Sequence, residues 1–392
     1  MPQDLSLNEL LIKISQAYTD AESKVGQCNV LVIGKTGVGK STLINAVFQE
    51  RLAETGVGRP ITQSIRQYTK QNCPITVYDT LGLELDEEKV KKVQFEVDKL
   101  IEDQRMLPAK DHIHVIWYCI NHETGRFEEI EEEWLRELVH KEVPVILVLT
   151  QAISLDEEEN SSEFLKWLER KNLPVSYLVP VLAEDKKVGK FNIESYGLER
   201  LVEATFELLP DVAQKAFVKE QIASIKLKSE AAFKYVSGYV ASSAIVGASP
   251  IPFSDALLLI PMQTTMLAHI TVIFGLPFDK AFISGVLSSI AGVGGMAATG
   301  RFIVTNVLKL IPGAGTVLGG AISAATAATL TMALGLAYIE LLRVYLQAQI
   351  SGKSLSMGDL TRLFGEFYKD YATSGRKTLK DDEPVPREID IE

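Results

Sequence analysis

The stretch Gly34-Lys35-Thr36-Gly37-Val38-Gly39-Lys40-Ser41 decides how the rest of the chain is read. An apolar run, Val30-Leu31-Val32-Ile33, precedes it, and a helical pattern, Thr42-Leu43-Ile44-Asn45-Ala46-Val47-Phe48, follows. Strand, glycine-rich loop and helix are the context that the spacing G-x-x-x-x-G-K-[ST] requires for holding phosphate groups. Glycines let consecutive backbone N–H groups turn inward around phosphate oxygens, and the helix N-terminus adds its partial positive charge. Residues 34 to 42 are therefore the expected phosphate cradle. Lys40 is expected to reach the β- and γ-phosphates, and the Ser41 hydroxyl to sit on Mg²⁺.

Outward from this loop, apolar runs at 30–33, 74–78, 112–120, 143–149 and 175–182 alternate with helical patterns. Those patterns include Asp86–Arg105, Phe127–Lys141, Ser161–Lys171 and Ile193–Leu209. Alternation at this spacing predicts β-α units around a mostly parallel sheet. The middle runs are apolar on both faces, so helices are expected on both faces. The run after the phosphate loop ends Val77-Tyr78-Asp79-Thr80-Leu81-Gly82. An Asp at such a strand tip can hold Mg²⁺ through water, which is the role expected of Asp79. Gly82 is expected to present its N–H to a γ-phosphate. Between the two lies Gly56-Val57-Gly58-Arg59-Pro60-Ile61-Thr62, where Thr62 is expected to close on Mg²⁺ and the γ-phosphate in the triphosphate state. His112 and His114 alternate along the third run, but no Cys, Asp or third His stands at ligand spacing, and no metal pair is read there.

The order of Gly34–Ser41, Thr62 and Asp79–Gly82 resembles that of a Ras-type GTPase, in the broad class that includes Era-like and septin-like proteins. With His114-Val115-Ile116-Trp117-Tyr118-Cys119-Ile120-Asn121 and the later Leu310-Ile311-Pro312-Gly313, the chain is similar to bacterial Era-like GTPases that carry a Gly/Ala-rich helical domain after the G domain. The resemblance implies an α/β, Ras-like P-loop G domain followed by an all-α apolar helical domain. It also implies GTP/GDP and Mg²⁺ as ligands, and GTP hydrolysis as the activity.

Two departures from the family pattern shape that expectation. The family reads guanine with [NT]-K-x-D at the end of the next-to-last strand. Here that strand ends Leu149-Thr150-Gln151-Ala152-Ile153: Thr150 fits, Gln151 replaces Lys, and Ile153 stands where Asp belongs. Asp156 lies three residues late and either swings in or belongs to the exposed acidic run Asp156-Glu157-Glu158-Glu159. The last base-binding segment is expected at Val181-Leu182-Ala183-Glu184, with the Ala183 N–H on the base oxygen. Without the Asp, a module that uses ATP or does not discriminate stays open beside the guanine reading. Leu83 is the second departure, because Ras-type enzymes place there a Gln that orients water. Slow intrinsic hydrolysis follows, or a group supplied by a partner. Arg59 is the candidate arginine finger, in cis or across a homodimer of G domains. Lys35 is either a solvated lysine or one aimed at the phosphates of a facing subunit. A binding scaffold with negligible turnover is the alternative of a different class.

The chain has 392 residues, enough for two to three domains. Its net charge of −11 argues against a general nucleic-acid binder, so no DNA or RNA partner is expected. Cys28, Cys73 and Cys119 form no C-x-x-C pair, so neither a zinc site nor a disulfide framework is indicated, and a cytoplasmic setting is expected. The domain order read is 1–27, an amphipathic helix (Leu7, Leu10, Leu11, Ile14, Tyr18) packing on the next domain; 28–210, the G domain; 211–350, the apolar helical domain; and 351–392, a helix and a disordered acidic tail. A connector helix is expected from Asp211 to about Ser237. Between Ser237 and Lys309 only Asp255, Asp279, Lys280, Arg301 and Lys309 are charged, and 310–339 carries no charge. Two readings of this half stay open. Its uncharged runs are long enough to enter or span a membrane through residues 237–345, which would make the protein membrane-associated. Its Ala, Gly, Ser and Thr content, with Pro250, Pro252, Pro261 and Pro277 breaking the spans, fits a soluble bundle instead. In either, Asp255, Gln263 and His269 are expected to face the bundle interior.

Overall fold

The computed structural model describes residues 7–48, 59–69, 73–80, 87–153, 162–247, 255–292 and 324–374. The chain forms two compact units: Val25–Ser224, and Met1–Lys24 together with Ile225–Glu392.

The first unit is built on a seven-stranded sheet. Its strands are β1 (Cys28–Gly34), β2 (Arg59–Pro60), β3 (Ile65–Thr69), β4 (Ile75–Thr80), β5 (Val115–Asn121), β6 (Val145–Thr150) and β7 (Tyr177–Pro180). Their order is β2-β3-β4-β1-β5-β6-β7. The pairs β1–β4, β1–β5, β5–β6 and β6–β7 are parallel, and β2–β3–β4 is an antiparallel edge. Strands β1 and β6 are buried at every position, as a sheet covered on both faces demands. One face carries Leu31, Ile33, Tyr118 and Leu147 under helices α3 (Glu87–Arg105), α4 (Glu129–Val139) and α5 (Glu163–Arg170), which contribute Val97, Trp134 and Leu168. On the other face Trp117 donates Nε1–H to the Thr205 hydroxyl at 3.0 Å and stacks on Phe48, the residue after α2 (Lys40–Val47). Phe48 meets Phe217 edge-on.

Three features of this unit differ from the sequence reading. The short polar strands β2 and β3, and a hairpin of β8 (Lys186–Val188) and β9 (Phe191–Ile193), lie where no strand was expected. Helix α6 (Leu198–Leu208) begins five residues after Ile193. Gly197 makes that start: it is left-handed (φ 81°), and a Cβ there would stand 2.1 Å from the Pro180 carbonyl oxygen. The connector is broken into α7 (Asp211–Glu220) and α8 (Ile225–Gly247). At the break Gln221 turns extended, and its side-chain amide both donates to Ser224 O (2.9 Å) and accepts from Ser224 N–H (2.8 Å). The Ile222 N–H pairs with Val47 O at 2.8 Å. The compact first unit runs past Pro210 to Ser224.

The second unit holds α1 (Leu7–Ser23), α8, α9 (Asp255–Ile273), α10 (Lys280–Gly292), α11 (Ala324–Ile350) and α12 (Met357–Ser374). Helix α1 packs within this unit: the Tyr18 hydroxyl donates to Leu276 O at 3.0 Å and its ring lies 5.9 Å from Phe278. Gly335 of α11 meets Val236 of α8 so closely that a Cβ would fall 2.6 Å from either Val236 methyl. Pro261 does not break α9, and the Thr264 and Thr265 hydroxyls both donate to its carbonyl at 2.8 Å. Polar groups bond between helices: Gln263 Nε2 to Thr331 Oγ1 at 3.2 Å, Tyr239 OH with His269 Nδ1 at 2.7 Å, and Thr271 with Tyr338 at 2.8 Å. Among the described residues, α11 is long and apolar enough to cross a membrane, yet 72% of that stretch is buried. The Asp255 side chain and the charged tail from Gly375 lie outside the described residues.

Candidate functional site

Strand β1 carries the chain to Gly34, where a Cβ would stand 2.4 Å from Cys119 O on the neighbouring strand, so only glycine fits. Gly37 and Gly39 are left-handed (φ 79° and 95°). This geometry turns backbone N–H groups toward a common centre. Helix α2 then starts at Lys40 with Gly39 as its N-cap and no side chain capping it. Its first N–H groups remain for an anion.

Lys40 is buried, and its ammonium donates to Gly34 O (2.8 Å) and Lys35 O (3.2 Å). It lies 3.9 Å from Asp79 Oδ1. Asp79 sits in β4 opposite Val32 of β1, which sets it beside the phosphate loop. Its Oδ1 is buried and has no hydrogen-bond partner among the described residues. Burial pushes the Asp79 carboxyl up to about 6, against the pull of Lys40 and Arg66. A buried carboxylate oxygen left without a donor, beside a phosphate loop and the exposed Ser41, fits Mg²⁺. That cation is commonly held by one or two carboxylates plus substrate phosphates.

Lys35 is not aimed outward. Its ammonium is paired with Glu131 at 3.0 Å and Glu128 at 3.1 Å. The same two residues form the capping box of α4. The flank of the loop is thereby tied to a helix start, which the sequence could not show because the partners lie almost a hundred residues on. Thr36 and Ser41 are exposed at the loop's mouth, Thr42 is half-buried and Val38 is buried.

Thr62 is not brought to Ser41 and Asp79. Its hydroxyl donates to Glu96 Oε2 on α3 (2.5 Å) and accepts the N–H groups of Ser64 and Ile65. Arg59 pairs through its backbone with Gln67, and its side chain lies outside the described residues. Gly82, Leu83 and Asp156 also lie outside them.

At the other end, Thr150 Oγ1 lies 2.5 Å from Val38 O and 3.0 Å from Ile120 O, which ties the end of β6 to the phosphate loop. Gln151 adopts a left-handed backbone (φ 54°), rare for a non-glycine residue, and its amide donates to Gly37 O at 3.0 Å. A cavity of about 230 Å³ opens here, lined by Gly39, Thr42, Thr150, Gln151, Val181, Leu182, Ala183, Glu184, Asp185 and Lys186. Thr150, Gln151 and Ala183, expected around the base, thus share one cavity with Gly39 and Thr42 of the phosphate cradle. Asp185 and Lys186 were not singled out in the sequence. Gly189 between two runs of lysine and apolar residues was the available signal for a hairpin there.

A mostly parallel sheet, a left-handed glycine loop opening an uncapped helix, and a buried Lys–Asp pair define a P-loop nucleotide-binding domain. In sequence the chain resembles P-loop GTPases of Era-, Der- and septin-like type. Residues 29–151 match the family described as 50S ribosome-binding GTPase, and residues 214–356 match a domain of unknown function (DUF697). Translocase of chloroplast 108 from Physcomitrium patens is 36% identical over 96 residues, 23% of this chain and 10% of that protein. GTPase Era from Thermoanaerobacter sp. (strain X514) is 29% identical over 186 residues, 46% of this chain and 54% of that one. The chain thus spans a tenth to about half of the length of these relatives. A solved structure of a probable GTP-binding protein engB aligns at 20% identity and a TM-score of 0.34, over 46% of this chain and 98% of the other.

Proposed function

We propose that the chain is a Mg²⁺-dependent guanine-nucleotide switch with slow GTP hydrolysis. The observation that carries the reading is the buried Lys40 and the partnerless Asp79 Oδ1 beside a glycine loop whose helix start has no side-chain cap. Lys40 and the N–H groups of Gly37 and Gly39 bind the phosphates. Ser41 and Asp79 hold Mg²⁺, which neutralises phosphate charge when bound. Thr62 and Gly82 sense the γ-phosphate, with Thr62 leaving Glu96 to do so. Thr150, Gln151 and Ala183 frame the base. Leu83 gives no group to orient water, so turnover depends on a second chain, with Arg59 as the group to test. Net charge of −11 gives no support to a nucleic-acid partner.

The helical unit, on this proposal, turns the nucleotide state into membrane association or self-assembly. The apolar α11 supports the reading. Its burial favours a reversible association over a permanent span.

Titration of the nucleotide-free full chain with GTP, GDP, ATP and ADP in Mg²⁺ tests the first part. Guanine nucleotides are expected to bind tightly and adenine nucleotides weakly; equal binding ends the guanine assignment. Turnover per chain is expected to rise with protein concentration, and a flat profile leaves a binding switch without dimer activation. Co-sedimentation with anionic liposomes is expected to differ between GDP and a non-hydrolysable GTP analogue. Identical sedimentation removes the coupling to membranes.

A further inference from the structure

The cavity's far end holds a carboxylate that the missing Asp of the base-reading sequence does not account for. Guanine presents two adjacent donors, N1–H and the 2-amino group, beside the O6 acceptor. Adenine presents an unprotonated N1 in the same place. Selecting guanine therefore needs an acceptor pair next to a donor, and an ionised carboxylate is acceptor-only. Among the described residues that line the cavity, the acidic ones are Glu184 and Asp185.

Their backbone is held on both sides. Leu182 and Tyr196 exchange both backbone hydrogen bonds at 3.0 Å. Lys186 pairs with Ile193 in the β8–β9 hairpin. Between these rungs, Asp185 Oδ1 accepts the Ser195 N–H at 2.8 Å. Tyr196 also donates its hydroxyl to Ala152 O at 2.6 Å, which fixes this turn to the segment that carries Gln151. Glu184 thus sits on a braced turn, directly after Ala183, with no side-chain partner among the described residues. Asp185 spends an oxygen on the brace.

We infer that Glu184 is the guanine-reading carboxylate of this site, accepting N1–H and the 2-amino group next to an O6 held by the Ala183 N–H, and that Asp185 is the residue that positions it. The inference rests on the guanine reading proposed above. It explains how a chain with Ile153 in the expected acidic position keeps base selection: the acceptor comes from the segment that carries Ala183.

The test uses the nucleotide-free full chain with Mg²⁺ and four probes: GDP, xanthosine diphosphate, inosine diphosphate and ADP. Wild type is expected to prefer GDP, with inosine diphosphate weaker because it lacks the 2-amino group. Glu184→Gln turns an acceptor into a donor. It is expected to weaken GDP on the order of 100-fold and to favour xanthosine diphosphate, whose second oxygen accepts from the amide. Asp185→Asn keeps an oxygen that accepts the Ser195 N–H and is expected to leave the rank of the four probes unchanged. A Glu184→Gln protein that still ranks GDP over xanthosine diphosphate overturns the inference. A reversal in Asp185→Asn in its place assigns the reading to the other carboxylate and also overturns it. Wild type that binds ADP as tightly as GDP is a separate failure, seen without any variant, and it removes the guanine proposal itself.

Discussion

The phosphate end and the base end of the cavity differ in what holds them. From Gly34 to Ser41 every position of the phosphate-binding spacing is filled, and the working groups are backbone N–H groups set by left-handed glycines. At the base end Gln151 and Ile153 replace two expected residues, while the acidic side chains lining the cavity, Glu184 and Asp185, lie just ahead of the β8–β9 hairpin, some thirty residues on. A backbone cradle cannot be relocated, because its donors exist only where the chain turns that way. A side chain can be supplied from any loop that reaches the same wall. Sequence spacing therefore fixes the first kind of site and leaves the second open.

The contrast breaks most directly at Lys40. Lys40→Ala removes a buried ammonium that is braced by two carbonyls, and the loop's other cation, Lys35, is tied to Glu128 and Glu131. Affinity for GTP and GDP is expected to fall by about 100-fold or more, since each hydrogen bond to a charged group contributes about 1.5–3 kcal/mol. Isothermal titration would show it; a loss under about fivefold would mean that the backbone alone carries phosphate binding.

Asp79 tests the same end through stability. Its carboxyl is raised from 3.8 to about 6 by burial, so the nucleotide-free protein binds a proton there more tightly than the unfolded chain does. That contribution is fully present below about pH 4 and is lost as pH rises through 6. At pH 7 the ionised, partnerless oxygen costs stability. Asp79→Asn is expected to stabilise the nucleotide-free protein by up to about 3 kcal/mol and to flatten its pH dependence between 4 and 7, while the Mg²⁺-dependent part of nucleotide affinity disappears. Urea unfolding of both proteins at pH 5 and pH 7 reads this. A destabilised variant at pH 7 would mean that the Lys40 charge needs Asp79 more than Asp79 suffers from burial.

Gln151 joins the two ends. Its amide reaches Gly37 O, so Gln151→Ala is expected to cost a single neutral hydrogen bond, about 1 kcal/mol or a fivefold loss for all nucleotides. A loss confined to guanine nucleotides would make Gln151 a base reader and blur the division drawn above.

What the sequence made legible follows the same division. The parallel strands, the phosphate loop and Asp79 could be read because burial on both faces and fixed glycine spacing leave strong local signals. The hairpin β8–β9 left only Gly189 as a signal: its residues are mostly exposed, and three-residue strands carry no period. Long-range pairings were also hidden. The apolar stripe of α1 says that it buries a face, but only the structure shows Tyr18 meeting Leu276, 258 positions away. The Lys35 pairs with Glu128 and Glu131 were invisible for the same reason. The extension of the compact first unit to Ser224 accompanies a side-chain turn of Gln221 that no hydrophobic pattern records.

Glu96 gives the smallest effect, and it bears on how the phosphate end changes state. In this structure Glu96 accepts the Thr62 hydroxyl and also the Ser64 N–H at 3.1 Å. Both groups belong to the segment expected to close on a triphosphate. A Thr62 held at Glu96 on α3 is not at the Mg²⁺ position, so the two arrangements compete, and a ligand shifts them only by its differential affinity. Removing the competitor with Glu96→Ala is expected to raise affinity for a non-hydrolysable GTP analogue about threefold to tenfold, the worth of one or two hydrogen bonds, and to leave GDP unchanged. A purely structural role for Glu96 predicts something else: lower thermal stability and an equal change for both nucleotides. The ratio of the two affinities, not either one alone, therefore decides whether Thr62 is held away from the site by this carboxylate or merely anchored to α3.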